Sequence, residues 1–175
     1  WDIALVILFY STLSTQVCMS AFDIEKAFRN LPLKPELLHL HLIKWRGQVL
    51  ADLVLSFGGA SSCFLFSSVM IVVCYIIQQE LNAQLGFIPG TNVPVAIAMF
   101  YMDDLGVVAS SIEAGLACGP IICAVLRDLG LPNSEEKMKL AIRKGPWLGL
   151  LFDCVNLEVD LPPDKLDAYA ADANK

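Results

Sequence analysis

The stretch "VAIAMFYMDDLGVVAS" (residues 95–110) decides the fold that this sequence predicts. Residues 95–101 form an apolar run of strand length, and residues 105–110 form a second one. Between them lies "MDD" (102–104), and aspartate is a common turn residue. The stretch therefore predicts a β-hairpin whose two adjacent carboxylates are either a simple polar turn or part of a functional site.

Helical and strand patterns alternate on both sides of this hairpin. The pattern predicts an α+β fold, with an antiparallel sheet and helices packed on one face. Arg46 and Gly47 predict a second hairpin turn. The predicted helices cover residues 2–14, 61–85, 111–130 and a last one from 162. The predicted strands cover residues 16–24, 39–45, 48–55, 95–101, 105–110, 137–144, 146–153 and 156–161.

The composition limits the class of protein. The 175 residues suffice for one domain with its own core, and a chain that begins at Trp1 is expected to be a piece of a longer protein. Hydrophobic residues make up 56% and charged residues 17%, which argues against disorder. The net charge of −6 has the wrong sign for a surface that binds nucleic acid throughout. It is compatible with a site that holds divalent metal ions.

The metal-binding residue types Cys and His show no zinc-like spacing. The six cysteines are scattered without CxxC pairs, and most lie in apolar runs that favour reduced, buried thiols. His39 and His41 alternate with leucines and are predicted to mark one face of a strand. A zinc site or a disulfide framework is therefore not favoured.

Two uncharged stretches leave a membrane protein open as an alternative. Residues 3–22 and 53–79 contain no charged side chain, and a spanning helix needs about 20 apolar residues. Ser, Thr and Gln dilute the first stretch, and "SFGGASS" (56–62) opens the second like a loop. No basic cluster flanks either stretch, and no signal peptide is recognisable. The alternative is a small integral membrane protein in which "MDD" is a loop.

Carboxylates end two of the apolar runs. Asp23 and Asp103 each come at the end of a predicted apolar strand run, and Asp104 adds a third carboxylate at the hairpin tip. If the two strands are neighbours in one sheet, the three carboxylates meet at one edge, where their mutual repulsion must be offset. Such oxygen ligands suit Mg²⁺, and two such ions can clamp an in-line phosphoryl transfer.

Five motifs in order make the chain resemble the palm of a reverse transcriptase, an RNA-directed DNA polymerase. They are "FDIEKAFR" (22–29), "LSFGGASSCFLF" (55–66), "FYMDD" (100–104), "LGLPNSEEK" (129–137) and "WLGLLFD" (147–153). Two further phrases, "KWRGQVLADLVLSFG" (44–58) and "FDCVNLEVDLPPDKL" (152–166), are most similar to DIRS-like, tyrosine-recombinase retroelements. Ser56 and Cys63 depart from the family, which usually has prolines there.

The resemblance implies a domain organisation and a set of partners. Residues 1–161 would be the palm and residues 162–175 the start of a thumb or connection helix, with fingers and most of the thumb missing. The implied partners are an RNA or DNA template with its primer, deoxynucleotides, and the fingers, thumb and ribonuclease H domains of a parent polyprotein. The implied location is intracellular, in cytoplasm or nucleus. An inactive retroelement relic, kept or not as a binding module, is the alternative within the family.

The resemblance also implies a metal site. Asp23 and Asp103 would hold two Mg²⁺ ions, for which Mn²⁺ can substitute, and Asp104 would support them. The backbone carbonyl of Ile24 would reach the metal bound to the nucleotide.

Four residues would contact the incoming nucleotide. Phe28 would lie under its sugar and disfavour a 2′-hydroxyl, with a core phenylalanine as the alternative. Phe57 and Gly58 would face the nucleotide and template. Lys137 would protonate the leaving pyrophosphate, with a solvated surface lysine as the alternative.

The end of the primer would be met by two segments. Tyr101 and Met102 would lie near its terminus. Trp147, Leu148 and Gly149 would steady the primer strand, with hairpin packing as the alternative.

Overall fold

The hairpin of residues 95–110 forms one half of the sheet around which the chain folds. The computed structural model describes residues 2–167. In chain order its helices and strands are α1 (Asp2–Ser11), β1 (Cys18–Asp23), β2 (Leu42–Trp45), β3 (Gln48–Ala51), α2 (Ser62–Leu85), β4 (Ala96–Tyr101), β5 (Asp104–Ala109), α3 (Ile112–Asp128), β6 (Lys139–Ile142), β7 (Lys144–Trp147), β8 (Leu150–Asp153) and β9 (Glu158–Asp160). The predicted α+β class is confirmed.

The central sheet has four antiparallel strands in the order β4-β5-β1-β6. The strands that precede Asp23 and Asp103, β1 and β4, are therefore not neighbours, because β5 lies between them. The reason is local: the short turn after Tyr101 folds β5 directly back onto β4, so that β5 takes the position beside it. β1 then pairs with the free edge of β5, and Asp23 comes to lie opposite Asp104.

The two faces of the sheet are covered by different layers. Along β5, Leu105, Val107 and Ala109 belong to the core under α2 and α3. Val108 belongs to a second core with α1, Trp147 and Phe152. This alternation follows from the two-residue period of a strand. Helices α2 and α3 thus share one face as predicted, while α1 and the β7–β8 hairpin cover the other.

Helix α2 buries one stripe of its surface. Its buried side chains recur every three or four residues, as expected for one helical face: Ser62, Phe66, Met70, Val73, Ile77 and Leu81. Gly86 ends the helix at a φ of 74°, which favours glycine. The helix is also the one among the described residues that is long and apolar enough to cross a membrane, a test that core helices of water-soluble proteins pass as well.

Two strand predictions are wrong. His39 lies in a 3₁₀ helix (Pro35–Leu40) and His41 caps it, so β2 begins only at Leu42. Pro35 explains the difference, because its fixed φ suits the first position of a helix. The run 146–153 is two strands rather than one, because the chain turns at Leu148 and Gly149, both with positive φ. The hairpin turn at Arg46 and Gly47 is confirmed.

The C-terminal prediction lies partly outside the described residues. Residues 163–167 are helical, in keeping with the predicted helix after residue 161, whereas residues 168–175 are not described. The proposed boundary between palm and thumb stays a prediction.

Candidate active site

The three aspartates lie at one end of the central sheet. Asp23 ends β1 and Asp104 begins β5, and the two residues are direct partners in the antiparallel register. Asp103 lies in the turn between β4 and β5, where its backbone carbonyl accepts a hydrogen bond from the Ile24 N–H at 3.3 Å. Met102 opens that turn with a φ of 54°. The sheet therefore places all three predicted aspartates at one of its ends, although β1 and β4 are not adjacent.

Lys137 forms an ion pair with this end of the sheet. Its Nζ lies 2.9 Å from Oδ2 of Asp23. The loop that carries Lys137 is fixed to the end of β1 by backbone hydrogen bonds, from Glu25 N–H to the Pro132 carbonyl at 2.8 Å and from Ser134 N–H to the Asp23 carbonyl at 2.9 Å. The "LGLPNSEEK" segment thus adds a cation to the carboxylates.

The electrostatics of the site reflect an excess of negative charge. Burial raises the pKa of Asp104, and the charges of Asp103 and Asp23 raise it further, while Lys137 opposes this shift. The hydrogen bond to Asp23 is the main reason that the pKa of Lys137 is raised. Both shifts favour the protonated form, the neutral carboxyl group of Asp104 and the charged ammonium group of Lys137.

A cleft of about 250 Å³ opens beside these side chains. Asp23 and Asp104 line it from the sheet, Lys137 lines it from the loop before β6, and the tip of the β7–β8 hairpin lines it from the other side. The hairpin contributes the predicted primer residues Trp147, Leu148 and Gly149. Lys139 and Pro146 also line the cleft but were not singled out from the sequence, because neither belongs to a recognised motif.

A glycine on β5 leaves room for the indole ring of Trp147. A Cβ atom at Gly106 would lie only 2.7 Å from Cζ2 of the Trp147 ring, so the absence of a side chain at residue 106 lets the indole lie against β5. Trp147 is buried, which agrees with the alternative of hairpin packing. Lys165 braces the same hairpin, because its Nζ donates a hydrogen bond to the Gly149 carbonyl at 3.2 Å.

The predicted nucleotide residues are divided between two places. Phe28 is buried in the core under α2 and packs edge-on against Phe57, with ring centroids 4.9 Å apart. Phe57 is exposed and, with Gly58, lines a separate cleft next to His41 and Asp52. Only Lys137 of the four lines the carboxylate cleft.

The remaining primer candidates flank the turn that carries Asp103. Tyr101 is exposed and pairs with Asp104 across the hairpin. Met102 is partly buried and packs against the core under α2 and α3. The contact of Tyr101 and Met102 with a primer stays a prediction.

The carboxylates suit a divalent cation in chemistry, but their side chains are not gathered around one point. Among residues 2–167, no three His, Cys, Asp or Glu side chains are close enough together to hold an ion. Two carboxylates with a backbone carbonyl and substrate oxygens would satisfy Mg²⁺, which rarely needs an all-protein cage. The ammonium of Lys137 on Asp23 occupies the kind of position that a cation would take.

Comparisons with known proteins agree with this geometry. The sequence profile described as "Reverse transcriptase (RNA-dependent DNA polymerase)" matches residues 8–152. The profile covers most of the chain, and the chain therefore belongs to the reverse transcriptase family. No curated protein is similar enough to count as a relative.

Solved structures share the fold at low sequence identity. A foamy viral protease-reverse transcriptase in complex with an RNA/DNA hybrid is 18% identical, with a TM-score of 0.68 over 86% of this chain and 18% of that chain. Another structure of that protein, with double-stranded DNA, is 17% identical, with a TM-score of 0.68 over 91% of this chain and 25% of that one. An apo telomerase from Candida tropicalis is 15% identical, with a TM-score of 0.60 over 92% of this chain and 40% of that one. The chain thus spans less than half the length of these proteins.

Proposed function

We propose that this chain is the palm of an RNA-directed DNA polymerase that adds deoxynucleotides to a primer 3′-hydroxyl. The observation that carries the proposal is the direct pairing of Asp23 with Asp104, with Asp103 in the adjoining turn, beside an open cleft. Membership of the reverse transcriptase family supports the reaction class. The sequence phrases at 44–58 and 152–166 support a DIRS-like retroelement as its origin.

The carboxylates would serve a two-metal mechanism. Asp23, Asp103 and the carbonyl of Ile24 would hold two Mg²⁺ or Mn²⁺ ions, and Asp104 would add negative charge from its place opposite Asp23. Bound there, the ions would activate the 3′-hydroxyl and stabilise the charge on the leaving pyrophosphate.

The chain's own side chains would orient the substrates. Trp147, Leu148 and Gly149 form the wall of the cleft against which a primer end would lie. Lys137 is one of two lysines that an incoming triphosphate would meet in that cleft. Phe57 and Gly58 would contact the nucleotide and template if these bridge the two clefts, with Phe28 packed behind Phe57.

The proposal includes partners that supply what an acidic palm lacks. The net charge of −6 leaves phosphate binding to basic fingers and thumb regions of a parent polyprotein, which would also carry a ribonuclease H domain. Its substrates would be an RNA or DNA template with primer and deoxynucleotides, and it would act in the cytoplasm or nucleus. An inactive relic that only binds is the alternative within the family.

Metal binding tests the site directly. We expect the chain to bind Mn²⁺, and Asp23→Asn and Asp103→Asn each to weaken this binding by about tenfold or more, because each removes a charged oxygen ligand. Free Mn²⁺ measured by electron paramagnetic resonance gives the affinity. Asp128→Asn is the control, because that carboxylate lies exposed at the end of α3.

Two outcomes would contradict the proposal. Equal Mn²⁺ affinity in wild type, Asp23→Asn and Asp103→Asn would show that these two aspartates do not bind the metal ion. Recovery of the chain only in detergent would instead favour the membrane alternative, for which α2 is the candidate span. Primer extension by the parent protein, abolished by Asp103→Asn, would separate an active polymerase from a relic.

A further inference from the structure

The direct contact between Lys137 and Asp23 has no counterpart elsewhere in the site. In the part of the chain that the structure describes, no other ammonium or guanidinium group forms an ion pair with Asp23, Asp103 or Asp104. Lys139 lines the same cleft without such a contact. One of the two lysines in the cleft is therefore bound to a carboxylate and the other is not.

Hydrogen bonds hold the backbone around Lys137 in place, whereas its side chain is largely exposed. An antiparallel bridge joins Ile24 to Asn133, and the Met138 N–H donates to the Ser134 carbonyl at 3.1 Å, which closes a turn around Lys137. The lysine side chain is 67% exposed, compared with 25% for Asp23. Its ammonium can thus leave Asp23 by rotation of the side chain, without any change in the backbone.

An ammonium and a metal ion compete for the same oxygen. Oδ2 of Asp23 accepts the Lys137 hydrogen bond at 2.9 Å, and a metal ligand must offer its oxygen to the ion at about 2.1 Å. A divalent ion attracts the carboxylate more strongly than a single ammonium charge does. An exposed ion pair of this kind is also weak, so a metal ion can displace it.

We propose that Lys137 is a displaceable counter-ion, which neutralises Asp23 in the metal-free chain and is released into the cleft when a divalent ion binds. This inference rests on the proposed function, because it requires that Asp23 is a metal ligand. Lys137 would therefore act before any nucleotide binds. Metal binding to Asp23 would at the same time release the ammonium group of Lys137 into the cleft.

Mn²⁺ binding to Lys137→Met and Lys139→Met variants tests the proposal. Each variant removes one positive charge from the same cleft and keeps a long apolar side chain, so general electrostatics affects both. We expect Lys137→Met to bind Mn²⁺ about two- to fivefold more tightly than Lys139→Met, because it alone removes a competitor for Asp23. The difference should vanish when both variants are made in an Asp23→Asn background.

Thermal melting with a chelator gives a second readout that does not depend on activity. Lys137→Met should lower the Tm of the metal-free chain more than Lys139→Met, and saturating Mn²⁺ should remove that difference. Equal Mn²⁺ affinities of the two variants, with wild-type binding that depends on Asp23, would overturn the counter-ion role and leave the proposed function intact. Absence of Asp23-dependent Mn²⁺ binding in both the wild type and Lys137→Met would overturn both.

Discussion

At the scale of single residues, the carboxylates of the candidate site repel one another. Asp23 and Asp104 are directly opposed on neighbouring strands, and like charges in that position destabilise a sheet. Burial also disfavours the charged form of Asp104 and, together with the charges of Asp103 and Asp23, raises its pKa. Lys137 offsets part of the repulsion through Asp23. The site is thus least stable when all three carboxylates are charged and no metal ion is bound.

This leads to a prediction for Asp104→Asn. A carboxyl group whose folded-state pKa is raised stabilises the fold at low pH and loses that contribution as the pH rises through its pKa. At neutral pH the wild-type charge therefore costs stability, and Asp104→Asn should raise the Tm of the metal-free chain. The gain should shrink as the pH falls through the raised pKa of Asp104 and should be lost below about pH 4, the ordinary value, where the wild-type carboxyl group is protonated in both the folded and the unfolded chain.

Thermal melts in the presence of a chelator across this pH range measure the effect. Asp128→Asn, at a carboxylate that is 75% exposed, is the control and should leave the Tm nearly unchanged. A lower Tm for Asp104→Asn at neutral pH would show that the carboxylate stabilises the fold through contacts that outweigh the repulsion.

At the scale of elements, α2 has two apolar faces, one buried and one exposed. Ile77 is 0% exposed and Ile71 is 61% exposed, although both lie on the same helix. Ile77→Ala should destabilise the chain by about 2–5 kcal/mol, because it leaves a cavity in the core. Ile71→Ala should change stability by less than about 0.5 kcal/mol, as surface substitutions usually do.

Urea denaturation of both variants measures this difference. The pair is matched in residue type, helix and substitution, so helix propensity cancels. Similar losses for both variants would mean that the outer face of α2 is also covered, either by another part of the protein or by lipid.

The sequence predicted elements best where the pattern is local. Turn residues predict the two hairpins, at residues 46–47 and 102–104, and an apolar run of clear length predicts the extent of α2. The segment around His39 was predicted wrongly, because an alternation of leucine and histidine resembles a strand although Pro35 starts a helix. The position of β1 could not be predicted, because only the three-dimensional register shows that it pairs with the second edge of β5.

The candidate site was predictable in its charges but not in its contacts. The motifs predicted that one active site contains Asp23, Asp103, Asp104 and Lys137, because the order and spacing of the motifs are those of a known family. No pattern in the sequence shows that Lys137 binds Asp23, or that Lys139 lines the same cleft, because both depend on how the loop after α3 is fixed to β1.

At the scale of the whole molecule, much apolar surface is exposed. Large side chains on the outer face of α2 and on the β2–β3 hairpin lie open to solvent: Phe64, Ile71, Tyr75, Trp45, Val49 and Leu50. The β2–β3 hairpin is an isolated pair of strands, and such pairs are marginally stable on their own. Exposed apolar surfaces of this kind are typical of interfaces.

We therefore expect the isolated chain to self-associate as its concentration rises. Added salt should strengthen the association, because it screens the repulsion between chains with a net charge of −6. Sedimentation velocity over a concentration series measures it, and a Phe64→Ser, Ile71→Ser double variant should weaken it. A monomer at all concentrations and salt levels would contradict this expectation.

The contact between Gly106 and Trp147 couples two positions that lie far apart in the sequence. The indole occupies the space where a side chain at residue 106 would begin, so the two positions share one fixed volume. A larger residue at one position is compatible with the fold only if the other becomes smaller. Substitutions here are therefore expected to be tolerated as compensating pairs, and a library that varies both positions together should contain functional combinations that neither single-site library contains.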